Sequence, residues 1–308
     1  MASKKKQSET LVNFMNSIIA RFENNGQRST MMHYRSTLNS IMRFSGNKDF
    51  MLSEIDSDLV RSYEAYLKNV AGVCRNTSSF YMRIFRAVYN AAVEKGQATQ
   101  RHPFKHVYTG IDRTQKRAIP TDVISGIKHL GHDLSPKQEL ARDTFLMCFY
   151  LRGISFIDLA HLRKSDIQNG FLYYTRSKTR QRLSIKWEKD MQGIVDKYRH
   201  ITSSSTYLFP FLVGNAKNDQ DETRLYHNAE ARITYHLKKI GKKIGFHGKL
   251  TLYVARHSWA TAARNRHVPI SIISQALGHD SEKTTMIYLQ SIQSSDVDKA
   301  NAEIISSL

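Results

Sequence analysis

Apolar residues recur every three to four positions along most of this chain, a period that fits helices and argues against a protein built mainly from sheets. Leu11, Phe14, Ile18, Ile19 and Phe22 form the first such stripe. Tyr34, Leu38, Ile41 and Met42 form the second, with Ser29 or Thr30 as its expected N-cap. A third helix is predicted over about residues 57–70, where Tyr63, Tyr66 and Leu67 follow Ile55 and Leu59. A fourth starts near Thr77, carries Phe80, Ile84, Val88, Ala91 and Ala92 on one stripe, and is stopped by Gly96. Four consecutive amphipathic helices predict a four-helix bundle.

The pattern breaks over residues 101–120. RHPFKHVYTGIDRTQKRAIP holds two prolines, a glycine and clustered Lys and Arg, and reads as a basic interdomain linker. The alternative is a long loop within one domain. Helical spacing returns at 121–130 and 135–151. Residues 170–187, GFLYYTRSKTRQRLSIKW, differ in kind: aromatic and β-branched residues flank a polar, basic tip, as in a β-hairpin or short sheet. Helices then resume through Leu289. The expected fold is mainly α, with a first domain over 1–105, a linker over 106–120 and a second domain over 121–308. The length of 308 residues fits two domains of roughly 150.

The chain carries a formal net charge of +19. Residues 1–105 hold 16 Lys/Arg against 8 Asp/Glu, leaving 30 against 19 for the rest, so both halves are basic. Such an excess points to a polyanionic partner; on composition alone, a ribosomal or translation protein is the competing reading. Cys74 and Cys148 sit in no metal-ligand or disulfide spacing, and the thirteen histidines form no H-E-x-x-H pattern. No metal and no cofactor are expected. The opening MASKKKQSET lacks an apolar signal core, and no stretch approaches ~18 consecutive apolar residues. A reducing cytoplasm is expected, with no membrane partner.

Three segments carry the chemistry: LTLYVARHSWATAA (250–263), ISIISQALGHDSEKTTMIYL (270–289) and YYTRSKTRQR (173–182). They resemble the tyrosine recombinase, or phage integrase, family. That family carries H-x-x-R before H-S/T-F/W-A-T, then L-G-H, then a tyrosine about nine residues on. Here Arg256 precedes H-S-W-A-T, His279 closes L-G-H 23 residues later, and Tyr288 follows nine residues after that. The resemblance covers the whole second domain. It extends to the first, which looks like the family's SAM-like core-binding domain. RGISFIDLAHL and ARHSWATAA resemble the branch of mobile-element integrases and DNA invertases of Gram-negative anaerobes.

The chemistry explains the residue types. A phosphodiester is anionic and gains charge on its non-bridging oxygens in the transition state. An arginine is always protonated and offers paired N–H donors there, as Arg256 would. Tyr288 would supply the phenol oxygen and form a phosphotyrosine that stores the energy of the broken bond, so religation needs no ATP. The resemblance makes His279 a donor to the scissile phosphate and Lys178, in the hairpin turn, the general acid for the leaving 5′ oxygen.

Two positions depart from the family. Its H-x-x-R histidine is Tyr253 here, which puts a general-base role in doubt. Its first arginine, in T-G-L-R-x-x-E-L, falls on Ser155 when the glutamate is set on Asp158 and the glycine on Gly153. Arg152 lies three residues earlier; Arg176 lies two residues before Lys178 on the hairpin. Either stands in for the missing arginine, and the reading favours Arg176.

Arg28, His33, Arg35 and Arg43, then Arg75, Arg83 and Arg86, are expected on helix faces of the first domain as phosphate contacts, with Arg180 and Arg182 joining them from the hairpin tip. A solvated basic face is the plainer alternative. After Tyr288, the apolar stripe Val297, Ala300, Ile304 and Ile305 suggests a tail helix, which in the family docks on a neighbouring protomer. The resemblance implies double-stranded DNA with paired sites, a dimer on one site, a tetramer in synapsis, strand exchange through a Holliday junction, optional DNA-bending accessory proteins, and a bacterial nucleoid location. Competing functions are a type IB topoisomerase-like relaxing enzyme and a catalytically impaired DNA-binding protein of the same fold.

Overall fold

The computed structural model describes residues 9–112, 118–131, 134–213, 219–246, 248–289, 301–302 and 304–306, with backbone alone at 219–220 and 287–289. The chain divides into two compact units, Met1–Thr114 and Gln115–Leu308.

The first unit is helical. Its elements are α1 (Leu11–Asn24), α2 (Arg28–Phe44), α3 (Ser57–Asn69) and α4 (Arg75–Glu94). Thr10 caps α1, its hydroxyl accepting from Asn13 N–H at 3.4 Å. The Asp56 carboxylate caps α3 by accepting from Asp58 and Leu59 N–H at 3.1 and 2.8 Å. α4 stops where Gly96 takes a φ of +65°. The apolar stripes converge on one core that includes Phe14, Ile41, Tyr63, Phe85 and Tyr89. Each such side chain contributes about 1.5–3 kcal/mol by leaving water. The expected caps of α2 are corrected. That helix begins at Arg28, so Ser29 and Thr30 lie inside its first turn. Gly26, at a φ of +68°, reverses the chain immediately after α1, and the helix restarts before either hydroxyl residue is reached.

The stretch expected as a linker over 106–120 is packed at both ends. Phe104 and Val107 are buried in the first core. Tyr108 N–H donates to Glu64 at 3.0 Å, and Asp112 N–H donates to the Asn76 side chain at 2.7 Å. Ile119 is buried in the second unit, where its N–H donates to Ser258 Oγ at 2.8 Å.

The second unit is arranged around α6 (Pro136–Tyr150), which is buried from Ala141 to Cys148 on every side. Its N-terminus is a reciprocal cap between Ser135 and Gln138, with Pro136 in the first turn. Against it pack α5 (Thr121–His129), α8 (Lys189–Lys197), α9 (Asp219–Lys243) and α10 (Leu252–Asn265). The short α7 (Phe156–Ala160) leads into a three-stranded antiparallel sheet, β1 (Ile167–Gln168), β2 (Phe171–Thr175) and β3 (Arg182–Lys186). In β2 and β3 the side chains of Leu172 and Ile185 face the core as cross-strand partners. α11 (Ile270–Ala276) and α12 (Glu282–Leu289) complete the unit and pack against α10 and each other. The fold is therefore mainly helical with one small sheet. Among the described residues, no helix is long and apolar enough to cross a membrane.

Candidate active site

Four pieces of the second unit meet at one place: the turn between α6 and α7, the β2–β3 hairpin, α10, and the loop joining α11 to α12. The turn depends on Gly153, whose φ is +75°. A Cβ there would stand 2.7 Å from both Cα and Cγ of Arg256, so the absent side chain lets α10 approach.

Arg256 is only 4 % exposed. Its guanidinium donates to the Gly153 carbonyl at 2.6 Å, to the Leu277 carbonyl at 2.5 Å and to His279 Nε2 at 2.9 Å, while its Nε meets no partner. Burial lowers its pKa to about 10, and the neighbouring positive Arg176 adds to the fall. The group remains charged at neutral pH, held by neutral acceptors.

Arg176 ends the β2 arm of the hairpin and is 8 % exposed. It donates to the Gly278 carbonyl, to which Thr179 Oγ1 also donates at 3.1 Å. The hairpin turn is pinned from the other side by Asp158 on α7. One carboxylate oxygen accepts from Ser177 N–H and Oγ–H at 2.8 and 2.6 Å; the other accepts from Ser155 Oγ at 2.5 Å. Ser155, on the position of the family's first arginine, therefore serves as the N-cap of α7 and touches no part of the arginine pair in the described contacts. Arg152 has a φ of +56° and donates to the Ser184 carbonyl at 3.4 Å, farther along β3. The structure thus brings Arg176, and not Arg152, onto the loop that holds Arg256.

His279 is 8 % exposed. Burial first, then the charges of Arg256, Arg176 and Lys178, depress its pKa to about 4, so the ring is neutral at physiological pH. Its Nδ1 lies 2.8 Å from the hydroxyl of Thr285, a fully buried residue of α12. The backbone of Tyr288 follows in the same helix, one turn beyond Thr285. Tyr253, on α10, is 55 % exposed and sets its ring edge-on to His257 at 4.6 Å. It borders a cavity of about 300 Å³ that also reaches Arg256 and Ser155. Partial burial raises its phenol pKa against the opposing pull of Arg256 and Arg176. Lys178 is exposed in the hairpin turn, as are Arg180, which has a φ of +60°, and Arg182 on β3.

In the first unit Arg28, His33, Arg35, Arg43, Arg75 and Arg86 are exposed and Arg83 is half-buried. Several are already engaged: Arg35 lies 3.8 Å from Glu23, Arg75 3.6 Å from Asp112 and 3.9 Å from the Tyr108 ring centre, and Arg86 donates to Thr109 at 3.0 Å. Of the tail stripe, Ile304 and Ile305 are exposed and helical, whereas Val297 and Ala300 lie outside the described residues. Among the described residues, no three His, Cys, Asp or Glu side chains cluster to hold a metal.

Sequence reasoning missed three contributors. Ser177 and Thr285 carry no signal in a single sequence, since a serine in a turn and a threonine in a helix are ordinary. Asp158 was visible as an aligned acidic position, but its hold on the hairpin was not.

Comparison with known proteins places these observations. The model described as the phage integrase SAM-like domain matches residues 10–108, and that described as the phage integrase family matches residues 125–294. The tyrosine recombinase XerC of Leptospira interrogans is 23 % identical over 293 residues, covering 93 % of this chain and 90 % of that protein. XerA of Pyrococcus furiosus is 31 % identical over 159 residues, 51 % of this chain and 52 % of that protein. In fold, the chain is similar to the Tn1549 transposon integrase in complex with transposon right end DNA (TM-score 0.72, 14 % identity, covering 97 % of this chain and 99 % of that one). It is also similar to a lambda integrase dimer bound to a COC′ core site (TM-score 0.66, 17 % identity, 91 % and 77 %).

Proposed function

The chain belongs to the phage integrase family of tyrosine recombinases, DNA strand-exchange enzymes that need neither metal nor ATP, and from that membership we propose how its own residues perform the exchange. The observation that carries the reading is the convergence of Arg256, Arg176 and His279 on residues 277–279, with the helix bearing Tyr288 starting three residues beyond His279. Two neighbouring guanidinium groups, those of Arg256 and Arg176, make a cradle for a phosphate. The scissile diester takes Arg256 and Arg176 on its non-bridging oxygens, and Arg176 replaces the arginine missing at Ser155. The Tyr288 phenol passes its proton to solvent as its oxygen attacks phosphorus. The bond to the 5′ oxygen breaks, Lys178 gives that oxygen a proton, and a 3′-phosphotyrosine remains. Attack by a 5′ hydroxyl from the partner site reverses these steps and joins new strands. Tyr253 offers one hydrogen bond where the family has histidine.

The first unit acts as the core-binding domain, with its exposed arginines on DNA phosphates. The full reaction takes a dimer on each site and a tetramer across two, passing through a Holliday junction. Lambda integrase in dimeric and tetrameric DNA complexes supports this by likeness. The DNA of a bacterial nucleoid is the proposed location.

The test uses nicked duplexes tiled from the DNA flanking the gene, on which a cleaved strand cannot be resealed. The protein should form a denaturant-resistant covalent adduct, whereas Tyr288→Phe should bind DNA equally and form none. An adduct with Tyr288→Phe, or none with the unaltered chain on DNA it binds specifically, overturns the assignment. Relaxation of supercoiled DNA without exchange between two sites would move the chain to the topoisomerase-like class.

A further inference from the structure

We propose that Thr285 is a positioning residue for the strand-exchange site: its hydroxyl accepts the proton that Arg256 confines to Nδ1 of His279, and so ties the helix bearing Tyr288 to Arg256. The geometry leaves one consistent assignment. A guanidinium can only donate, so the contact at 2.9 Å between Arg256 and His279 Nε2 requires Nε2 to be the acceptor. A neutral imidazole with a bare Nε2 carries its proton on Nδ1. That Nδ1–H then donates to Thr285 Oγ1 at 2.8 Å. A chain of donors and acceptors therefore runs from α10 to α12, Arg256 to His279 to Thr285, with each residue buried. Thr285 is fully buried while Glu282, Lys283, Thr284 and Met286 are exposed, so its hydroxyl is the polar anchor of this face of α12.

The arrangement has a chemical consequence that deepens the recombinase reading and takes its importance from it. Thr285 can accept from Nδ1–H whether the ring is neutral or protonated. The ring position that changes on protonation is Nε2, which must first part from Arg256. Among the described residues, the charged groups acting on the ring are Arg256 on α10 and Arg176 and Lys178 on the hairpin; Asp280, next in its own loop, lies 3.4 Å from Gln181. The three cations hold Nε2 bare in the free protein. A bound phosphate offsets them, and Nε2 can then gain a proton from solvent and donate to the phosphate without the ring turning over.

The experiment is nitrogen-15 NMR of the histidine rings in the full chain without DNA, with His279→Gln used to assign the signal. The expected result is a neutral ring protonated at Nδ1. In Thr285→Val, which keeps the volume and removes the hydroxyl, Nδ1–H loses its acceptor, so the His279 Nδ1 signal should lose the shift of a hydrogen-bonded N–H, and backbone amides of α12 should exchange with solvent at least tenfold faster. Thr285→Ser should restore both. A ring protonated at Nε2 in the unaltered chain, or a Val variant with unchanged Nδ1 signal and exchange, overturns the proposal. If Thr285→Val fails to fold, Thr285→Ser still decides: loss of the Nδ1–H form there would also overturn it. No step requires cleavage, so the outcome is independent of whether Tyr288 forms an adduct.

Discussion

Arg176 and Arg256, 80 residues apart in the chain, donate hydrogen bonds to consecutive carbonyls of one loop, those of Gly278 and Leu277. Each side chain is nearly sealed from water, and each lowers the proton affinity of His279 between them. Like charges gathered this way cost energy in the free protein and are repaid by an anion. The cost is a reason to expect the site to be built for phosphate.

That pairing separates the two arginines competing for the vacant family position. Arg176→Ala should slow cleavage of nicked DNA by about 10²–10³, the usual cost of removing one fixed donor to developing charge. Arg152→Ala should slow it by less than about tenfold, since its guanidinium is engaged with the Ser184 carbonyl, farther along β3. Single-turnover cleavage measures both. A larger loss at Arg152 than at Arg176 would reverse the assignment.

Gly153→Ala should be damaging out of proportion to one methyl group. A left-handed backbone costs an alanine roughly 1–2 kcal/mol, and the new Cβ would meet Arg256 Cα and Cγ at 2.7 Å. Overpacking of this kind adds about 1–3 kcal/mol. Denaturant unfolding should show a combined loss of about 2–5 kcal/mol. Gly170→Ala, also at positive φ but facing open space, should lose only the backbone part.

Acid should weaken the second unit through His279. In the native state its pKa is held near 4, whereas in the unfolded chain it returns to about 6.5. Between those values the unfolded state binds the extra proton, so stability is full above about pH 6.5 and falls as pH drops toward 4. The full difference amounts to about 3 kcal/mol. Stability curves across that window should be steeper for the unaltered chain than for His279→Gln, and equal slopes would show that the ring titrates normally.

What the sequence determined by itself was whatever lies close together along the chain. Helical period, the glycine stop after α4, the hairpin over 170–187 and the spacing from Arg256 through His279 to Tyr288 are all local, because a turn of helix or a two-stranded ribbon is specified by neighbours within a few residues. Even there, one turn misled: Gly26 started α2 ahead of the hydroxyl residues expected to cap it. The tertiary structure alone decided which arginine joins Arg256. Ser155 occupies the expected position in sequence and Arg152 lies three residues earlier, yet Asp158 binds Ser155 and Ser177 together and so lays the hairpin, with Arg176 at its root, across residues 277–279. The roles of Asp158 and Thr285 were hidden for the same reason. A hydrogen bond between segments distant in sequence depends on where packing puts them, and a single chain of letters carries no record of that distance.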